Sequence, residues 1–311
     1  MTDAGLGLVY GDVVPPWPGQ TLRLPDRTVH LRHASPEPGG DAEPAVLVHG
    51  LGGSSTNWTD LMALLRDRLD AVAIDLPGFG MSPPPRDGDY SPAGHARAVA
   101  AVIESSFEGR PVHLFGNSMG GAVSVQLAAR RPDLVRSVTL VSPALPERLP
   151  RLTNVHLPAL AVPGVGRTVM RRYLDVDPAR RARATIDLCF HDPSRIPPVR
   201  WDEFAAEVRR RDGQPHVADA FVGSLRGLMA SYLDLGPDRP WKLAERVSAP
   251  VLLVYGRQDK LVNARKAHEA GAAFPDARVV VLHDCGHVAQ MEHPDEVADL
   301  WRDWARPAPA A

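Results

Sequence analysis

Short apolar runs alternate with amphipathic helical patterns along most of this chain, and this alternation limits the fold more than any other feature of the sequence. The runs suited to buried strands occupy residues 45–50, 71–75, 112–117, 137–142, 250–256 and 277–287. Helical spacing of apolar residues occupies 57–69, 91–107, 122–131 and 294–305. Strands that are apolar on both faces and separated by helices are typical of a parallel sheet covered on both sides. We therefore predict an α/β fold with a mostly parallel central sheet and helices on both faces.

The alternation is interrupted in the second half of the chain. Residues 146–247 contain arginine-rich helical pieces broken by prolines, with no clear strand pattern. The economical interpretation is a core of residues 1–145 and 248–311, interrupted by a helical insertion at 146–247. Ahead of the first parallel strand, TLRLP and RTVHLRH flank a turn at 25–26, which predicts a β-hairpin.

The composition excludes several function classes. The formal net charge is −2 and the sequence pI is about 6.6, so no global positive field favours nucleic acid or anionic membranes. The two cysteines, Cys189 and Cys285, fit a reducing compartment, and no Cys/His spacing resembles a zinc site. The first residues lack the basic start and the apolar stretch that a secretory leader needs, and no run approaches the roughly 20 apolar residues of a membrane span. We expect a cytoplasmic protein without metal, cofactor, nucleic-acid partner or stable membrane insertion, and a homo-oligomer is compatible with the sequence.

A Gly-x-Ser-x-Gly motif lies at the boundary between a strand and a helix. Gly116, Asn117, Ser118, Met119 and Gly120 follow the apolar run at 112–117 and open the helical pattern at 122–131. Glycines remove the Cβ clashes of a sharp strand-to-helix turn, and the helix N-terminus offers free N–H groups to negative charge. We predict that Ser118 is a nucleophile.

A nucleophilic serine needs a base, and the base needs a carboxylate to orient it. Asp259 follows the strand pattern at 250–256, and His287 follows the next one. Both therefore lie at the carboxyl ends of strands, where open parallel sheets build their sites, and in the order Ser, acid, His. We predict Asp259 and His287 as the acid and the base. Weaker candidates nearby are His283, His293, Asp276 and Asp284.

A third element, HGLGG at 49–53, directly follows the strand pattern at 45–48. A glycine-rich turn there can direct the Leu51 N–H at a substrate carbonyl oxygen, and the Met119 N–H would complete an oxyanion hole. His49 is interpreted as a buried histidine bonded to loop backbone rather than as a second base. The supporting positions of these two loops are His49, Gly50, Gly52, Gly116, Asn117 and Gly120.

Five motifs in order, HGLGG, DLPGFGMS, GNSMGG, GRQD and GHVAQMEHP, resemble those of the α/β-hydrolase superfamily. The resemblance covers nearly the whole chain except 146–247, which corresponds to the variable helical cap of that family. It implies Ser118, Asp259 and His287 as the catalytic triad, and Asp75-Leu76-Pro77-Gly78 as a structural loop beside the site. GNSMGG and GHVAQMEHP are also similar to carbon–carbon bond hydrolases that cleave ring-fission products of aromatic degradation.

The expected activity is hydrolysis of carboxylic esters through an acyl-enzyme, with a small-molecule ester or other acyl substrate. Carbon–carbon bond hydrolysis is the alternative; its acidic substrates would need an arginine from the helical segment. The candidates are Arg171, Arg172, Arg180, Arg181, Arg183, Arg209, Arg210 and Arg211. A non-catalytic ligand receptor and a cofactor-free perhydrolase or haloperoxidase are further alternatives.

Overall fold

The computed structural model describes residues 12–39, 41–146, 161–162 and 164–305. The strands in these residues are β1 (Gly19–Arg23), β2 (Thr28–Ala34), β3 (Glu43–Val48), β4 (Leu69–Ile74), β5 (Val112–Asn117), β6 (Val135–Val141), β7 (Val251–Gly256) and β8 (Ala277–Leu282). They form one sheet in the order β1-β2-β4-β3-β5-β6-β7-β8. The pairs β1–β2 and β2–β4 are antiparallel, and every other neighbouring pair is parallel. This confirms the predicted hairpin and the mostly parallel sheet.

The α-helices of the described residues lie between the strands and beyond β8. They are α1 (Thr59–Leu64), α2 (Pro92–Ser106), α3 (Met119–Arg130), α4 (Val165–Leu174), α5 (Pro178–Cys189), α6 (Pro198–Asp212), α7 (Val217–Leu233), α8 (Pro240–Ala244), α9 (Ala267–Gly271), α10 (Ala289–Glu292) and α11 (Pro294–Ala305). Between β6 and β7, the described residues form the helices α4 to α8 joined by loops, and they contain no strand. Its exact boundaries as an insertion stay a prediction. No helix among the described residues is both long enough and apolar enough to pass through a lipid bilayer.

The sheet buries both of its faces, as the apolar strand patterns predict. Successive side chains of β3 alternate between two core clusters: Val46 and Val48 pack with α2 and α3, whereas Leu47 packs with α1 and α11. A fully buried apolar side chain of this size contributes about 1.5–3 kcal/mol by leaving water. Two covered faces therefore hold the carboxyl ends of the parallel strands in a fixed arrangement.

One predicted helix is shorter than its periodicity indicates. The apolar spacing at 57–69 continues to Leu69, but α1 ends at Leu64 and Leu69 is the first residue of β4. Leu69 pairs in parallel register with Glu43 of β3, and its side chain is fully buried. Pairing with a distant strand therefore overrides the local helical pattern. By contrast, α2 begins as predicted, because the Ser91 hydroxyl accepts the Gly94 N–H at 3.0 Å.

Candidate active site

Ser118 occupies the sharp turn between β5 and α3. Its backbone has φ 53° and ψ −118°, a region that a residue with a Cβ rarely adopts. The turn is closed on both sides: the Ser118 N–H donates to the Val141 carbonyl at 3.0 Å, and the Gly121 N–H donates to the Ser118 carbonyl at 2.9 Å. Ser118 is half-buried although the residues on both sides of it are buried. The strained turn therefore presents the hydroxyl at the carboxyl edge of the sheet.

The two glycines of the motif are required by close packing within this turn. A Cβ on Gly116 would lie 2.7 Å from the Gly120 carbonyl carbon. A Cβ on Gly120 would lie 2.6 Å from the His49 carbonyl oxygen, and closer still to that of Val48. The start of α3 consequently packs directly on the end of β3, which brings the two glycine-containing loops together.

Asp259 and His287 form a buried hydrogen-bonded pair at the same edge. The His287 Nδ1–H donates to Asp259 Oδ2 at 2.8 Å. The other carboxylate oxygen of Asp259 accepts the N–H groups of Leu261 at 2.7 Å and Val262 at 2.9 Å. Burial raises the pKa of Asp259, but the His287 charge and these hydrogen bonds outweigh burial and leave that pKa below its ordinary value. The carboxylate therefore stays ionised and fixes the imidazole with Nε2 as its free acceptor.

The side chain of Asn117 connects the histidine to the serine. Its amide nitrogen donates to the backbone carbonyls of His287 and Val141, each at 3.1 Å. Asn117 is buried, and the next residue is Ser118. The loop that carries His287 is thus attached to the strand that ends at the serine.

Glu292, which was not among the residues predicted from the sequence, also holds the histidine loop. Its buried carboxylate accepts the N–H groups of Gly286 at 2.7 Å, His191 at 3.0 Å and Asp192 at 2.8 Å. In addition, the His287 N–H donates to the Cys189 carbonyl at 2.6 Å. Glu292 lies within the GHVAQMEHP motif, so its acidic side chain was the available signal. Cys189 acts through its backbone, which leaves no signal in the sequence.

The weaker acid and base candidates lie outside this arrangement. Asp276, Asp284 and His283 are exposed. His293 Nε2 lies 2.8 Å from the Asp284 carbonyl oxygen, with Arg195 alongside. The structure thus joins Asp259 to His287, leaves Asp276, Asp284 and His283 on the surface, and places the half-buried His293 against other partners.

The HGLGG segment forms a tight turn of residues 50–53, hereafter the glycine turn. The Gly53 N–H donates to the Gly50 carbonyl at 3.0 Å, and Gly52 has φ 74°, in the left-handed region that favours glycine. A Cβ on Gly50 would lie 3.0 Å from the Ser118 Cβ. Within the described part of the chain, the N–H groups of Leu51 and Met119 donate to no protein acceptor. Two free N–H donors therefore flank the serine.

His49 is fully buried and both of its ring nitrogens are engaged. Nδ1 lies 2.7 Å from the Gly50 carbonyl oxygen, and Nε2 accepts the Leu76 N–H at 3.0 Å. Burial lowers the pKa of His49, which keeps the ring neutral. His49 thus supports the loops as expected and has no nitrogen left to act as a base.

Asp75 connects the loop after β4 to the structure around the glycine turn. Its carboxylate accepts the Ser55 N–H at 2.6 Å, the Met81 N–H at 2.8 Å and the His30 Nδ1–H at 2.9 Å. Burial raises the pKa of Asp75, but the hydrogen bond and charge of His30 lower it further than burial raises it. This buried carboxylate agrees with the structural role expected for the 75–78 loop.

The described residues contain no cluster of three or more His, Cys, Asp or Glu side chains arranged to hold a metal ion. The chemistry that the arrangement can support is that of its side chains and backbone N–H groups: a half-buried hydroxyl, a His–Asp pair and two free donors. These are the parts of a nucleophilic acyl-transfer site.

Comparisons with known proteins agree with the fold described above. Residues 44–294 match the model of the alpha/beta hydrolase fold family. The chain is 32% identical over 269 residues to the dihydrolipoyllysine-residue acetyltransferase component of the acetoin cleaving system of Cupriavidus necator, covering 85% of this chain but only 63% of that protein. It is 26% identical to Lipase 1 of Psychrobacter immobilis, covering 91% of this chain and 81% of the lipase. The solved structure of 2-hydroxy-6-oxo-6-phenylhexa-2,4-dienoate hydrolase from Rhodococcus superposes with a TM-score of 0.71 at 24% identity, covering 92% of this chain and all of that one.

Proposed function

This chain belongs to the alpha/beta hydrolase fold family, and from that membership we propose that it is a serine hydrolase of carboxylic esters. One observation carries the proposal. Asn117, the residue before the strained Ser118, binds the backbone of His287, and His287 binds Asp259, which supports these three residues, Ser118, His287 and Asp259, as nucleophile, base and orienting acid. The resemblance to a bacterial lipase over most of both chains supports an ester as the substrate.

The proposed reaction begins with attack of the Ser118 hydroxyl on the ester carbonyl carbon. His287 Nε2 takes the hydroxyl proton and returns it to the departing alcohol, which leaves an acyl group on Ser118. Asp259 keeps the imidazole in the tautomer with a free Nε2 and stabilises the imidazolium that forms. Water activated by His287 then attacks the acyl-enzyme, releases the carboxylic acid and restores the serine.

Leu51 and Met119 are the proposed oxyanion-hole residues. Their backbone N–H groups have no protein acceptor within the described residues, so they are available to the negative oxygen of the tetrahedral intermediate. In studied enzymes such a donor contributes about 3–4 kcal/mol to the transition state. The strained turn at Ser118 supports this assignment, because the Met119 N–H is the first of α3 and directly follows the serine in that turn.

Ion pairs within the helical segment reduce the number of arginines that could bind an acidic ring-fission product. A carbon–carbon hydrolase needs an arginine available to a substrate carboxylate. Three of the candidates, Arg181, Arg183 and Arg211, pair with the carboxylates of Asp212, Asp187 and Glu207. These pairs argue against a substrate acid as the partner of those three arginines. Arg210 stays a candidate, because one of its guanidinium nitrogens is buried without a hydrogen-bond partner among the described residues.

A series of p-nitrophenyl esters from acetate to palmitate tests the proposal with wild-type protein and Ser118→Ala. We expect turnover by the wild type only, with an optimum at one chain length. A ring-fission dienol serves as the competing substrate. If the wild type hydrolyses the esters no faster than Ser118→Ala does but rapidly removes the dienol colour, the carbon–carbon alternative replaces the ester proposal. Turnover of neither would contradict both.

A further inference from the structure

Helix α6 packs on the loop that contains the glycine turn, although about 150 residues separate them in the chain. Two side chains of α6, Glu207 and Arg211, lie one helical turn apart and therefore share a face of the helix. Both reach the 50–58 segment through hydrogen bonds. This contact does not involve Ser118, Asp259 or His287.

Glu207 holds the residues that follow the glycine turn. Its carboxylate accepts the Thr56 hydroxyl at 2.8 Å, and Ser54 Oγ lies 2.8 Å from that same hydroxyl oxygen. The Glu207 side chain is 10% exposed. Burial raises the pKa of Glu207, but the charges of Arg211 and Arg210 and the nearby hydroxyls leave it below its ordinary value. An ionised carboxylate is therefore fixed against the short 3₁₀ helix Ser55–Trp58.

Arg211 holds the glycine turn itself. Its guanidinium donates to the Gly52 carbonyl, and its Nε lies 3.7 Å from Glu207 Oε1. On the other side of the turn, a Cβ on Gly52 would lie 3.3 Å from the Phe221 ring of α7. The Gly52–Gly53 peptide is thus held by a charged donor, and its N–H in turn binds the carbonyl of the Gly50–Leu51 peptide, which carries the Leu51 N–H.

The same helix end reaches a second loop beside the serine. Gln214, two residues beyond α6, donates its side-chain amide to the Gly80 carbonyl at 2.9 Å. Gly80 lies in the loop that is joined to the glycine turn through Asp75, Ser55 and Met81. The end of α6 therefore contacts both loops that border the site.

We infer that Glu207 and Arg211 are positioning residues, which hold the glycine turn so that the Leu51 N–H points at the substrate oxyanion. The inference rests on the proposed function, because it assigns that N–H to the oxyanion hole. Neither side chain touches the reacting atoms; each acts through the backbone of residues 50–56. In this way the helical segment would affect how strongly the transition state is stabilised, in addition to covering the site.

This arrangement predicts a loss in kcat rather than in substrate affinity. The oxyanion bond strengthens only as negative charge develops, so a displaced donor weakens the transition state more than the ground state. Loss of one oxyanion donor costs about 100- to 1,000-fold in kcat. A donor that is loosened but not removed should cost less, about 10- to 30-fold.

The test compares Arg211→Met, Arg211→Lys and Glu207→Gln in an otherwise unchanged chain. Arg246→Met is the matched control, because Arg246 pairs with Asp238 on an exposed surface. We expect Arg211→Met to lower kcat about 10- to 30-fold with KM within about threefold of wild type. Arg211→Lys should recover part of the loss, and the control should match wild type. Inactivation by a fluorophosphonate, which forms a tetrahedral adduct on the serine, should slow in parallel.

Amide hydrogen exchange of residues 50–53 gives a readout that does not depend on ester turnover. If Arg211 holds the glycine turn, Arg211→Met speeds exchange there and Arg246→Met does not. Unchanged exchange together with unchanged kcat would overturn the inference, as would a rise in KM at constant kcat, which would mark Arg211 as a substrate-binding group. If Arg211→Met speeds exchange but the wild type hydrolyses no ester, the proposed function is refuted, while the contact between Arg211 and the glycine turn is supported.

Discussion

Gly120→Ala is the substitution whose effect follows most directly from the packing of this site. A methyl group at Gly120 would lie 2.6 Å from the His49 carbonyl oxygen, whereas ordinary contact begins at 3.4 Å. Both this oxygen and that of Val48 belong to backbone at the end of β3, so no side-chain rotation can relieve the overlap. The start of α3 must therefore retreat from β3 by about 0.8 Å or more.

The retreat has two measurable consequences. Overpacking of a tight interior typically costs about 1–3 kcal/mol, which for a chain of this length lowers Tm by roughly 2–6 °C. Ser118 and the Met119 N–H move with the helix, and a misplacement near 1 Å costs about 100-fold in rate. We therefore expect kcat to fall about 30- to 100-fold, far more than the modest loss of stability implies.

The assay pairs kcat on a p-nitrophenyl ester with thermal unfolding. Gly213→Ala is the control, because its Cβ would lie 3.6 Å from the nearest atom and its φ is −73°. This control should keep wild-type kcat and keep or slightly raise Tm, since alanine restricts the unfolded chain. Wild-type kcat and Tm in Gly120→Ala would show that α3 does not pack on the β3 carbonyls, and the geometry argued for Ser118 would be wrong.

Two further predictions concern buried carboxylates. Asp259→Asn should lower kcat about 10,000-fold, because an amide favours the tautomer of His287 without a free Nε2; a loss under tenfold in steady-state kinetics would exclude Asp259 as the orienting acid. Asp75 has a folded pKa below its ordinary value of 3.8, so its stabilisation is complete above about pH 4 and is lost as the pH falls through the folded pKa. Between pH 6 and pH 3, the Tm of Asp75→Asn should therefore fall less steeply than that of wild type, and equal slopes would contradict this assignment.

Much of the sheet was predictable because its strands are buried on both faces. The run at 250–256 is apolar on consecutive positions, and Leu114 and Phe115 are apolar neighbours on opposite faces of 112–117, a pattern typical of a parallel strand covered on both faces. The strands β5 and β7 match these runs within one residue. Leu69 was assigned wrongly because helical spacing is a local signal, and its pairing with Glu43 in the parallel sheet is not. Local periodicity cannot report which distant strand a residue will join.

The sequence by itself determined the turn at Ser118. Gly116 must lack a Cβ because the Gly120 backbone lies only four residues further along the chain, whereas the clash at Gly120 is with the end of β3 and so comes from the tertiary structure. The prediction that Ser118 is the nucleophile rests on the same local pattern.

The tertiary structure alone decided what surrounds that serine. Parallel register across β5, β6, β7 and β8 sets the distance between loops that are far apart in the chain, and no local pattern encodes it. That register brings Asn117 to the His287 carbonyl, 170 residues away. In the same way, the packing of α6 places Arg211 on Gly52, 159 residues away. These contacts depend on how helices and strands pack, which is why they became visible only in the folded chain.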